Sequence, residues 1–172
     1  GPAAGGLIEE LIAYEIKKFI ACGSSGMIGQ SDGSSFLLVE KAIRDEGLSY
    51  HYLKPSVYVH TDKALNAHIE KAFIEKNIHY QKGITWTTDA FYKETKARID
   101  KRKSQGALAV EMECASMAAV CKFRGVSFSQ VLFFSDIVDQ NIWSGFRKDR
   151  HQVKEKVNQL MIDIAMSVSQ KS

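Results

Sequence analysis

Between Val110 and Asp136 the chain runs VEMECASMAAVCKFRGVSFSQVLFFSD, a helix-forming stretch, a glycine and an unbroken apolar run in immediate succession. Cys114, Ala115, Met117, Ala118, Ala119 and Val120 are helix formers or small packing residues. Lys122 and Arg124 suit the negative end of the helix, and Gly125 can take the left-handed conformation that stops it. Val126 to Phe134 then reads as a strand, too continuously apolar from Val131 onward to keep one face in water. A strand buried on both faces next to a helix requires an α/β arrangement. Ser135 and Asp136 are expected where that strand ends, which in open α/β sheets is where ligands bind; a turn-capping role for Asp136 is equally consistent with the pattern.

The rest of the chain repeats the alternation. Leu7, Ile8, Leu11, Ile12 and Ile16 share one helical face, and Phe19 to Cys22 follow as a short strand. Gly23, Ser24, Ser25 and Gly26 are expected to form a loop open to a ligand or simply a turn. They match neither GxGxxG nor a P-loop, because no lysine follows the glycines. Phe36 to Glu40 is a strand, AIRDEGLSYHY (42–52) an ordered loop, and Ser56 to His60 another strand. Thr61 or Asp62 caps a helix striped by Leu65, Ile69, Ala72 and Phe73. His79 to Thr88 is a strand with Ile84 and Trp86 inward, delivering Phe91 and Tyr92 either to a flat ligand or to the core. Residues 139–150, with Trp143, Phe146, Arg147 and Arg150, form a polar loop suited to a lid. Val153, Val157, Leu160, Met161, Ile164 and Val168 stripe the last helix. This order argues for one domain over residues 1–172, an α/β sandwich with a largely parallel or mixed sheet.

Composition narrows the classes of function. A formal charge of +3 is too small for a nucleic-acid partner, and the basic run from Lys93 to Lys103 is interrupted by Glu94 and Asp100, as a solvated helix face would be. Cys22, Cys114 and Cys121 make no CxxC and the histidines no HxxxH, so neither a disulfide framework nor a metal site is expected. Cys114 admits a nucleophilic role but suits a buried packing position better. The absence of a signal peptide and of any long apolar span fits a reducing cytoplasm and no membrane contact.

Five segments in order carry a resemblance: GPAAGG before the first helix, KKFIACGSSG, AIRDEGLSYHY, GITWTTDAFYKET, and VEMEC with a later SD. Together they resemble the nucleoside phosphorylase family, which includes purine nucleoside phosphorylases, uridine phosphorylases and related nucleosidases. The resemblance implies a three-layer α/β/α sandwich with a mixed, largely parallel sheet, and a pentosyltransferase that uses phosphate as co-substrate and no cofactor. It implies that Glu113 holds the ribose 2′ and 3′ hydroxyls and that Met112 lines the sugar. Phe91 would stack on the base, with Glu111 and Ser135 also in the substrate-binding set. Ser24, with Gly23 and Ser25, would hold phosphate, and Asp136 would protonate the departing purine as a catalytic acid. Uridine-preferring members place a Gln and an Arg after the FY pair; Thr95 and Ala97 stand there, favouring a purine.

Two departures shape the alternatives. Many phosphorolytic members carry an arginine where Ala21 stands, and without its guanidinium a phosphate loses a bidentate partner. The family also has more chain before GPAAGG; Gly1 and Pro2 read either as a scar of tag removal or as the family's own turn. A sheet lacking those strands would expose an edge, so a homo-oligomer is expected. Beside phosphorolysis stand hydrolysis by water and a nucleoside-binding fragment without turnover.

Overall fold

The computed structural model describes residues 1–29, 32–139, 142–145 and 150–169. In chain order the elements are α1 (Pro2–Ala13), β1 (Lys18–Met27), β2 (Phe36–Asp45), α2 (Ser49–Tyr52), β3 (Tyr58–His60), α3 (Lys63–Glu75) and β4 (Tyr80–Thr88). A 3₁₀ turn at Phe91–Lys93 leads to α4 (Lys96–Ser104), β5 (Ala107–Glu111), α5 (Cys114–Arg124), β6 (Ser127–Asp139), β7 (Ile142–Gly145) and α6 (Arg150–Ser169). The α/β class expected from the sequence is what forms.

Among the described residues the sheet has seven strands in the order β3-β2-β4-β5-β1-β6-β7. It is mixed: the β1–β6, β2–β4 and β4–β5 pairings are parallel, and β1–β5, β2–β3, β2–β6 and β6–β7 antiparallel. The extra pairing of β2 with β6, Phe36 opposite Phe133 and Leu38 opposite Val131, joins β2, β4, β5, β1 and β6 into a closed ring. Closure leaves those five strands without a free edge. Helices α1 and α5 bury Ile8, Ala115, Ala118 and Cys121 in one apolar cluster with Leu37, Val39 and Leu132. Helices α3 and α6 bury Ile69, Phe73, Val157, Met161 and Ile164 in a second, with Leu38 and Val131. A third gathers Ile43, Trp86 and Val110 from the strands with Ile99 of α4.

The local punctuation behaves as its chemistry requires. Gly125 follows α5 at φ +69°, the left-handed stop expected of it. Asp62, not Thr61, caps α3 by accepting from the Leu65 amide at 2.8 Å. Thr61 instead donates to the Val39 carbonyl at 2.7 Å.

Three expected boundaries are corrected. The Gly23–Gly26 segment is not a loop: β1 runs through it to Met27, paired with β6 along its length. There Gly26 serves packing, since a Cβ would lie 2.5 Å from Val138 and 3.1 Å from Val110. β6 does not end before Ser135 but continues to Asp139 and pairs with β7, a strand inside the stretch expected to be a loop. β2 likewise continues through Ala42, Ile43 and Arg44, all nearly or fully buried, and α2 occupies Ser49–Tyr52, so most of AIRDEGLSYHY is regular structure. No helix among the described residues is long and apolar enough to cross a membrane.

Candidate active site

Four adjacent strands bring the sequence-derived site residues to one level of the sheet. In the parallel pairing of β4 and β5, Thr87 lies opposite Glu111. β1 runs antiparallel to β5 with Gly26 opposite Val110 and Met27 opposite Ala109, so that register continues from Ser25 and Ser24 toward Glu111 and Met112. On its other side β1 pairs in parallel with β6, where Ser25 faces Phe134 and Gly26 faces Asp136. Ser135 is skipped in that register and is the extra residue of a β-bulge. Its hydroxyl donates to the Ser25 carbonyl at 3.3 Å. Bulges re-aim side chains, and no sequence pattern in LFFSD announces one.

The turn from β5 into α5 separates two carboxylates that stand two residues apart in VEMEC. Glu111 is buried, 5% exposed. Its Oε2 accepts from the amides of Glu113 (2.8 Å) and Cys114 (2.7 Å), and its Oε1 from Thr87 Oγ1 (2.5 Å) and Thr85 Oγ1 (3.4 Å). Thr87 Oγ1 in turn accepts from the Ala115 amide at 3.0 Å. The first free amides of α5, which the helix itself cannot satisfy, are thus met from the sheet. Burial pushes the Glu111 carboxyl up to about 7 against the opposing pull of the Thr87 hydroxyl and the two amides. Glu113 is exposed, and its carboxylate has no hydrogen bond or ion pair among the described residues. Met112, half-buried, lies between them.

The residues expected to meet the base follow β4. After Thr88, Asp89 accepts from the Gly47 amide at 2.8 Å, and the 3₁₀ turn carries Phe91. Phe91 is 47% exposed and Tyr92 95%, so neither is core; their rings meet edge to face at 5.2 Å. Ser24 is exposed and Ser25 buried, its hydroxyl 3.4 Å from the Phe133 carbonyl. The segment expected to hold phosphate therefore offers Ser24 and backbone on a strand, not on a loop. The side chains of Asp136, Trp143, Phe146, Arg147 and Arg150 lie outside the described residues, so the expected catalytic acid is placed only by its backbone, and the stretch expected to be a lid by the backbone of β7 and the start of α6.

RDEG, within the stretch that the sequence reads as an ordered loop, stands at the end of β2. Arg44 donates to Ser49 Oγ (2.8 Å), the Lys54 carbonyl (2.8 Å), Ser56 Oγ (2.7 Å) and the Leu53 carbonyl (3.3 Å), and stacks on Tyr50. Asp45 accepts from Trp86 Nε1 at 2.9 Å and pairs with Arg98 and Arg102 of α4. Glu46 Oε2 accepts from the Ser49 amide (3.0 Å) and Ser116 Oγ of α5 (2.7 Å). With the Gly47–Asp89 bond, this segment ties α4, α5 and the Phe91 turn together. The reading of Lys93–Lys103 as a solvated face needs one amendment, because Arg98 and Arg102 are spent on Asp45. The thiols offer no nucleophile: burial raises Cys114 well above its ordinary value, Cys22 to about 11 and Cys121 to about 12. Among the described residues no three metal-binding side chains converge.

Residues 2–168 match the model of the phosphorylase superfamily. The chain belongs to that family. A guanosine phosphorylase of Halorubrum lacusprofundi is 24% identical over 148 residues, 86% of this chain and 60% of that protein. Two solved structures share the fold with TM-scores of 0.81: a Plasmodium knowlesi homologue of the P. falciparum purine nucleoside phosphorylase, 18% identical, and an AMP nucleosidase of Bacteroides thetaiotaomicron, 23% identical. Each is matched over 98% of this chain, which spans 69% and 70% of theirs. The chain covers 65%, 60% and 34% of the lengths of three curated relatives that it matches. The phosphorylase superfamily chain thus carries the acidic turn, the aromatic turn and the GSSG strand on neighbouring strands.

Proposed function

We propose that this phosphorylase superfamily chain cleaves the N-glycosidic bond of purine nucleosides with phosphate, releasing free base and ribose 1-phosphate. The observation that carries it is Glu113: an exposed carboxylate without a partner among the described residues, held at the end of β5 beside the strand that delivers the exposed Phe91. An ionised carboxylate accepts from two vicinal hydroxyls, and an aromatic face beside it suits a base. Breaking the bond develops positive charge on the ribose and negative charge on the base. Glu113 steadies the sugar, Met112 lines it and Phe91 stacks on the base. Asp136, on the neighbouring β6 beyond the Ser135 bulge, protonates the departing purine, while Ser24 and the backbone of Gly23 and Ser25 hold phosphate for attack on the sugar carbon. In this reading the α1/α5 and α3/α6 groups are the outer layers of an α/β/α sandwich.

Hydrolysis is the second reading, and Ala21 favours it. Ala21 sits in β1 opposite Gln130, so no guanidinium is supplied from that position. Incubation with inosine, adenosine, guanosine and uridine, with and without phosphate, separates the readings by chromatography of the free base. Base released only with phosphate, slowed most for purines by Asp136→Asn, is the expected result. Release without phosphate assigns hydrolysis, and no release from any nucleoside overturns both.

A further inference from the structure

We infer that Glu111 is a positioning residue for the sugar site, acting through Thr87 and the first turn of α5 and not by touching the substrate. The inference rests on Glu113 being the ribose ligand. Its ground is the direction of each Glu111 oxygen. Both face the protein: one meets two consecutive amides, of Glu113 and Cys114, and the other meets the Thr87 and Thr85 hydroxyls. Two amides and the Thr87 hydroxyl hold the two oxygens, and Thr85 shares its one hydrogen between Glu111 and the Ala109 carbonyl, so both oxygens are engaged from the protein side.

The geometry has a direct consequence for Glu113. Its own amide is one of the two bound by Glu111, so the backbone of the residue that presents the outward carboxylate is fixed by the inward one. Thr87 extends the grip by one residue, donating to Glu111 and accepting from the Ala115 amide. The Glu113 carbonyl accepts from the Met117 amide at 3.0 Å, fastening the other side of the same residue to the helix. A carboxylate that must meet two adjacent hydroxyls depends on this placement, since a small displacement at a positioned group costs much of its effect. Glutamine at position 111 keeps the hold on the first turn of α5, since its carbonyl oxygen accepts from the two amides, while toward Thr87 the bond reverses and the NH₂ donates to Oγ1, as a protonated carboxyl would. Alanine keeps neither contact.

The test uses the full chain and a purine C-nucleoside, whose carbon–carbon link resists cleavage, alongside its 2′,3′-dideoxy form. Calorimetric Kd values give the preference for the hydroxylated ligand. Hydrogen bonds to a charged partner predict a wild-type preference of roughly 10- to 100-fold, abolished in Glu113→Gln. Glu111→Ala and Thr87→Val should each cut the preference by about 5-fold or more while leaving the dideoxy Kd within about 2-fold, as loss of a sugar-specific contact requires. Glu111→Gln should keep it within about 3-fold, and the double variant Glu111→Ala with Thr87→Val should be no worse than Glu111→Ala, because the two residues act through one connection. A full preference in Glu111→Ala or, should that variant not fold, in Thr87→Val overturns the inference. So does Glu111→Gln behaving like alanine, which would place the charged oxygens on the sugar. Absence of any preference in the wild type overturns instead the reading of Glu113 on which the inference stands.

Discussion

Two polar turns leave the sheet of this chain, one after β2 and one after β5, and they treat their charges in opposite ways. In Arg44-Asp45-Glu46-Gly47 the guanidinium, the Asp45 carboxylate, one Glu46 oxygen and the Gly47 amide are all engaged by the protein. In Glu111-Met112-Glu113 the first carboxylate is engaged just as fully, but the second faces outward without a partner among the described residues. Buried charges are tolerated only when paired and hydrogen-bonded, so the β2 turn and Glu111 are scaffold by necessity. Among the described residues Glu113 carries no such obligation, which is why it is the ligand-binding carboxylate of the proposed site.

The contrast is sharpest at Glu113 itself. Glu113→Ala should lower kcat/KM on a purine nucleoside by roughly 100- to 1000-fold, from the loss of two charge-assisted hydrogen bonds, and leave the melting temperature within about 2 °C. A large stability loss with unchanged kinetics would move Glu113 into the scaffold. Arg44→Met is the mirror case: removing a 4% exposed guanidinium with four partners should cost about 3 kcal/mol in urea unfolding. The kcat/KM per folded molecule should stay within about 3-fold, because the contacts of the RDEG segment are to the protein's own elements. A selective kinetic defect would break the comparison.

The smallest effect concerns Glu111 and pH. Burial raises its carboxyl from 4.5 to about 7, so between those values the folded chain holds a proton that the unfolded chain has lost. The associated stability is present below about pH 4.5 and declines as pH rises toward about 7, where it levels off. Glu111→Gln, always neutral, should therefore match the wild type near pH 5 and exceed it by about 2 kcal/mol near pH 8. Urea midpoints at the two pH values measure the gap; parallel slopes in both proteins would show that Glu111 does not titrate in this window. Glu94, also pushed up to about 7 by burial, adds the same trend to both proteins.

Much of this architecture was legible in the residue order because its causes are local. Gly125 stops α5, Asp62 caps α3, and the apolar run from Val131 makes a buried strand, each through groups a few residues apart. The five segments that resemble nucleoside phosphorylases likewise indicated the family to which the chain belongs. Glycine and serine in GSSG read as a loop because their strand character comes from β5 and β6, which are distant in sequence. AIRDEGLSYHY read as a loop because it is polar, aromatic and broken by glycine, whereas Arg44 is satisfied by carbonyls and hydroxyls up to twelve residues away.

By itself, then, the sequence determined the α/β class, the helix stops and caps, and the set of residues proposed here for a sugar and base site. Only the tertiary structure decided that five strands close into a ring, that Ser135 is a bulge, and that of two glutamates two residues apart one faces in and the other out. The physical reason is that a carboxylate's role is set by the donors within hydrogen-bonding distance. For Glu111 two of those, Thr85 and Thr87, come from a strand more than twenty residues away, which only the sheet brings alongside.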